Sequence, residues 1–205
     1  MGFQSHASLF EDFAGGVEFA GVPTLLLSDA DVAATGIGIG SNIGVFAITQ
    51  RLKGFGLKAR VDRYYSRQES LGRADTSHVA NNTFMKALTQ QYTIVSAGAE
   101  WRWKEANHQY FSEALLGYAL GVHGKLEMVS QDGSFVGGGL ASREVPVKSL
   151  FSVMGGVGYR RILKARWTLQ AGLRTFFLAG APYEKELEDK TIIPVPFILH
   201  IGLLY

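Results

Sequence analysis

The segment from Trp167 to Phe177 alternates along its whole length. Trp167, Leu169, Ala171, Leu173, Thr175 and Phe177 fall on one side, and Thr168, Gln170, Gly172, Arg174 and Phe176 on the other. Successive side chains of an extended chain point to opposite faces, so the pattern specifies a strand with one apolar and one mixed face. A longer case runs through 110–128. Tyr110, Ala114, Leu116, Tyr118, Leu120, Val122, Leu126 and Met128 share one side; Phe111, Glu113, Leu115, Gly117, Ala119, Gly121, His123, Lys125 and Glu127 share the other. Helical periodicity is poor almost everywhere. Strands this long exceed the usual length of about five or six residues.

Segments of this kind are expected at about 16–27, 35–50, 55–68, 85–104, 109–129, 147–163, 166–178 and 192–205. Short connections fall at 51–54, 105–108 and 164–165, and longer polar ones at about 69–84, 130–146 and 179–191, with a shorter 28–34 in the first hairpin. Short turns at one end and long loops at the other describe an antiparallel meander, and an even strand number with this asymmetry is a feature of outer-membrane barrels. The expected fold is all-β: an up-and-down antiparallel transmembrane β-barrel of about eight strands over 16–205, after an N-terminal periplasmic segment at 1–15.

Composition narrows the alternatives. A chain of 205 residues suits one domain. The absence of Cys excludes disulfide scaffolds, thiolate metal sites and thiol nucleophiles. Twenty basic against 18 acidic residues leave no basic excess to track phosphates, so no nucleic-acid partner is expected. No apolar run reaches the roughly 18 residues of a transmembrane helix. Residues 1–6 show neither a charged nor an apolar leader region.

The two faces differ in kind. The more continuous apolar face carries Trp101, Trp103, Tyr110, Tyr159 and Trp167 beside the short turns, where rings with polar handles suit a membrane–water interface. A soluble barrel would reverse this arrangement, with apolar residues inside. The opposite face mixes small residues (Gly36, Gly38, Gly40, Gly44) with charge. Its charged residues are Glu18, Asp62, Glu100, Glu113 and Glu127 against Lys58, Arg60, Arg102, Lys125, Arg160 and Arg174. Charges removed from water need partners. The expected lumen network comprises Glu18, Lys58, Arg60, Asp62, Glu100, Arg102, Glu113, Arg174 and His200. It can serve as a structural plug or as a gated ion path. The narrow interior of eight strands favours the plug.

The last segment, 192–205, ends the chain on an aromatic, with Phe197, Leu199, Ile201, Leu203 and Tyr205 on one face. It resembles the C-terminal assembly signal of bacterial outer-membrane β-barrel proteins, departing from it in a terminal Tyr and in two Pro near the strand start. The wider pattern resembles small eight-stranded outer-membrane barrels across about 16–205. That resemblance implies a Gram-negative surface protein in the bacterial outer membrane, exported with a removed signal peptide and a replaced Met1. It also implies the barrel-insertion machinery, membrane lipid and lipopolysaccharide as partners.

Enzymatic readings find little support. The chain resembles outer-membrane lipid A deacylases in size and architecture. Their His-x-Ser strand motif is absent at His123 and at His200, and the match at 6–8 precedes the first strand. Asp75, Ser77 and His78 hold suitable residue types, but adjacency does not align a triad. His123 and His200 lack a third metal ligand at useful spacing, so no metal or cofactor is expected. Each is read as donating to a lumen carboxylate, with Glu18 in reach of His200 once the last strand closes on the first. The glycines at 36–40 and 137–139 sit in no phosphate-binding unit. The expected function is therefore that of a non-enzymatic small outer-membrane barrel, serving membrane architecture or surface interaction through its loops. Its alternatives are transport of a small hydrophobic molecule or ion and, third, lipid A hydrolysis.

Overall fold

A computed structural model describes residues 13–28, 36–49, 54–70, 83–105, 108–130, 141–144, 146–164, 167–180 and 192–205. The strands are β1 (Phe13–Ser28), β2 (Gly36–Thr49), β3 (Phe55–Ser70), β4 (Thr83–Glu105), β5 (His108–Ser130), β6 (Ala141–Glu144), β7 (Leu150–Lys164), β8 (Trp167–Leu178) and β9 (Ile192–Leu204). All of them but β6 form a closed, up-and-down antiparallel barrel of eight strands. Closure is made by β1 and β9, with Val17 opposite Leu203 and Glu18 opposite Gly202. The architecture is the one that the alternation and the loop asymmetry require.

Two boundaries differ from the expectation. β1 begins at Phe13, so 13–15 belong to the barrel rather than to the N-terminal segment, because Phe13 pairs with Thr49 at the foot of β2. The loop expected at 130–146 contains β6, whose four residues pair with Lys125–Met128 of β5. β4 and β5 outrun their neighbours at the long-loop end, and β6 covers part of the β5 edge that β7 leaves open. A bulge in the β4–β5 ladder falls between Gln91 and Tyr92. The β2–β3 turn is closed by Gly54, at φ 74°, whose carbonyl accepts the Arg102 N–H at 2.8 Å.

Outward residues form an apolar belt. Ile39, Leu116 and Phe151 are among its most exposed members, at 79, 69 and 71%. The inward face is layered, as the buried positions of β3 show: Lys58, Arg60, Asp62, Tyr64, Ser66 and Gln68 in ascending order from the short-turn end. Ala14, Phe46, Ile48 and Leu204 close the bottom. Charges come next. Above them lies an apolar layer that includes Val22, Tyr64, Tyr92, Ile94, Leu115, Met154, Phe176 and Ile198. Thr24, Ser66, Gln68 and Gln90 make a polar layer above that. The apolar layer adds a band of rings and aliphatic side chains to the small and charged residues read on the mixed face. A narrow barrel fills its middle with side chains, and rings fill it well.

Candidate functional site

The charged layer is built by period-two strands that each contribute every second residue. Four carboxylates, Glu18, Asp62, Glu100 and Glu113, meet four cations, Lys58, Arg60, Arg160 and Arg174, all buried. Register supplies the central problem, since Glu100 and Glu113 stand directly opposite one another on β4 and β5. Like charges in that position repel. Lys58 Nζ, reaching from β3, donates to Glu113 Oε2 at 2.7 Å and to Glu100 Oε2 at 3.2 Å. The rings of Phe46 and Phe111 flank that ammonium, with centroids at 4.4 and 5.4 Å.

From this centre the pairs continue in both directions. On one side Arg160 binds Glu100 through both terminal nitrogens, with Nη2 donating to Oε2 at 2.7 Å. Its Nε donates to Gln170 Oε1 at 2.9 Å. Gln170 in turn donates to Glu18 Oε1. On the other side Arg174 Nε donates to Glu113 Oε1, and its Nη1 to Glu18 Oε2 at 2.9 Å. Arg60 Nη2 lies 2.8 Å from Glu18 Oε2 and donates to Asp62 Oδ1 at 2.5 Å. Asn42 Nδ2 donates to Asp62 Oδ1 at 2.8 Å. The arrangement is a chain of ion pairs across the lumen, closed into a circuit by the hydrogen bonds of Gln170 to Arg160 and Glu18.

Missing side chains make the room. A Cβ on Gly44 would collide with the Asp62 carboxylate and the Arg60 guanidinium, and one on Gly202 would lie 2.7 Å from Glu18 Cγ. At Gly202 the same Cβ would also lie 2.7 Å from the Val17 carbonyl oxygen, a backbone atom that cannot yield, whereas at Gly44 it meets only the tips of the Asp62 and Arg60 side chains.

His200 Nδ1 lies 3.5 Å from Glu18 Oε1, and the ring sits near that of Phe111. Arg102 occupies a lower level at the short-turn mouth, donating to the carbonyls of Thr49 at 3.0 Å and Phe55 at 2.6 Å. Glu127 lies far from the charged layer, near the long-loop end, where Arg67 and Lys125 bind it. His123 pairs with Gln91 beside the β4–β5 bulge. Trp101, Trp103, Tyr110 and Trp167 point outward at the short-turn end; Tyr159 is half-buried between His108 and Tyr110. Trp167 also packs on Tyr205 at 5.1 Å between ring centroids. Leu199, Ile201, Leu203 and Tyr205 are exposed on the outer face and Phe197 is half-buried. The stretches 6–8, 75–78 and 137–139 lie outside the described residues. Among the described residues no group of three His, Asp or Glu side chains is placed to hold a metal ion.

Arg160 and Gln170 complete the circuit and stand outside the network drawn from the sequence. Both have inward phase, but Gln170 carries no charge to mark it. In the sequence the apolar layer shows as Phe176 and Leu115 on otherwise mixed faces.

A closed antiparallel barrel with charges inside and an apolar exterior is the fold of small outer-membrane β-barrels. Neisserial surface protein A (NspA) is similar over 94% of this chain and 95% of its own, at 12% identity and a TM-score of 0.53. OprG from Pseudomonas aeruginosa is similar over 95% and 96%, at 11% identity and 0.54. A major outer membrane protein from Thermus thermophilus is similar over 94% and 98%, at 11% identity and 0.52. At these identities the likeness is one of fold. No protein-family model and no curated protein matches the chain.

Proposed function

We propose that this protein is a non-enzymatic barrel of the bacterial outer membrane, with a lumen closed by its own ion pairs, which holds long extracellular loops for surface interaction. The observation that carries the reading is the unbroken chain of ion pairs through Glu100, Lys58, Glu113, Arg174, Glu18 and Arg60, whose side chains are fully buried. Every charge in it already has a protein partner, so none is left to coordinate a passing ion. The exterior suits hydrocarbon, and the outward aromatics at the short-turn end suit the periplasmic interface. The loops at about 69–84, 130–146 and 179–191 then face outside, where a rigid scaffold carries variable recognition segments. Membrane lipid and lipopolysaccharide surround the belt. The outward row Leu199, Ile201, Leu203 and Tyr205 serves the insertion machinery during assembly. Planar-bilayer recording of the unmodified protein tests the reading. Silence is expected; large, steady ion currents would overturn it in favour of transport.

A further inference from the structure

β9 is tied unequally to its two neighbours. Tyr205 exchanges backbone hydrogen bonds with Gly15 of β1, at 2.8 and 3.0 Å. Peptide groups alternate sides along a strand, so odd-numbered residues of β9 turn toward β1 and even-numbered ones toward β8. Pro194 and Pro196 are both even, and proline has no N–H to donate. The β8–β9 ladder ends at Thr175 and Phe197, although β8 continues to Leu178 and β9 begins at Ile192. On the β8 side, the Ala179 N–H donates to Phe151 at 2.8 Å, which turns the even residues Phe176 and Leu178 toward β9. The Leu178 carbonyl is taken instead by the Gly180 N–H at 3.1 Å. The other flank of β9 is thinned in the same way. Pro23 faces it by parity, and the β1–β9 ladder, in one register throughout, lacks the pairs of Val22 and Pro23 between Gly21–Leu199 and Thr24–Pro196.

The wall is therefore weakly bonded where Phe176 to Leu178 lie beside Pro194 to Pro196. This level is about ten residues above Trp167, roughly the height of the apolar band, and so belongs to the outer leaflet. Hydrocarbon offers backbone groups no substitute partner. Both sides of the gap are apolar. Leu173, Phe177 and Leu199 are exposed outside it, while Phe176 and Ile198 are buried behind it with Val22 and Met154. Immediately below, Arg174 is held by Glu18 and Glu113 and forms a charged floor.

We propose that this β8–β9 seam is a lateral portal that admits an acyl chain of an outer-leaflet lipid and seats it against Phe176 and Ile198. A charged or hydrated solute finds no partner there. A hydrocarbon chain needs none, and the Arg174 floor stops it from passing deeper. The proposal rests on the membrane placement argued above but not on the closed lumen.

Photo-crosslinking in vesicles of dioleoyl phosphatidylcholine tests it, with p-benzoylphenylalanine replacing Phe176 inside the wall or Phe177 outside it. Lipid adducts are expected at both positions. Pro194→Val combined with Pro196→Val returns the missing donors, and should reduce the adduct at 176 several-fold while leaving that at 177 unchanged. No lipid adduct at 176 beside a labelled 177, or an adduct at 176 indifferent to the proline changes, would overturn the portal. Absence of adducts at both positions would overturn the membrane placement and the portal together. Should the double variant not fold, Pro196→Val alone is read by amide exchange. Slower exchange of the Phe176 amide, which stands opposite residue 196, than in the parent is expected, and unchanged exchange refutes the proposal.

Discussion

Glu100 and Glu113 face each other across the β4–β5 ladder, and Lys58 Nζ from β3 donates to both carboxylates. One ammonium thus resolves a repulsion that the register of two other strands creates. Lys58→Met should leave the two buried carboxylates without that cation and cost about 3–5 kcal/mol. Adding Glu113→Gln should recover part of the loss, since one of the opposed charges is then removed. Urea unfolding of the single and double variants in lipid vesicles measures both. A double variant less stable than the sum of its single changes would contradict this account of the pair.

Glu113→Ala acts on the same centre from the opposite sign. Arg174 and Lys58 each lose a carboxylate partner, and the circuit opens on the β5 side. Destabilisation is expected, accompanied by small flickering currents in planar bilayers where the unmodified protein is silent. Quiet recordings from a folded Glu113→Ala barrel would show that the apolar layer above seals the lumen alone.

Leu116 is 69% exposed and lies six residues above Tyr110, which places it near the middle of the apolar band. Leu116→Arg should cost about 2–4 kcal/mol in vesicles. Leu120→Arg, nearer the outer interface, should cost less because the charge reaches water. Equal costs at the two positions would place the bilayer at a different height on the barrel.

Glu127 lies 17 residues beyond Tyr110 on the same strand, past the roughly 9–11 residues that span hydrocarbon. Hydrogen bonds from Arg67 hold its carboxyl below the usual carboxylate range, with Lys125 contributing. A depressed folded-state pKa gives stability that is present above the unfolded value of about 4.3 and lost as pH falls through the folded one. Protection of the β5 amides at 124–127 should therefore hold at neutral pH and decline in acid below that value. Glu127→Gln should weaken protection at neutral pH and flatten its dependence. Amide-exchange protection measured across the range checks both, and an unchanged acid profile in the variant would assign the titration elsewhere.

Alternation is a local property, and much of the barrel is legible through it. Each strand shows its two faces without reference to any other, so Lys58, Arg60 and Asp62 share a side in the chain itself. Turn and loop lengths are local too, and they imply a meander. β6 was hidden because four residues in a long polar loop carry no distinctive period, and their pairing with β5 depends on an edge that β7 leaves open. Phe176 and Leu115 looked like exceptions on a mixed face. They are parts of a layer to which several strands contribute.

The chain by itself determined which side chains share a face, because a strand repeats every two residues whatever lies beside it. Partnership was decided only in three dimensions. Arg174 and Glu18 are 156 residues apart in sequence and meet because the closed barrel brings β8 and β1 to the same level of a narrow lumen. The same holds for the prolines. Pro194 and Pro196 announce a missing donor wherever they stand, but whether that donor is missing toward β1 or toward β8 follows from register. Register is a relation between strands, settled by how the faces pack, and no single segment contains it.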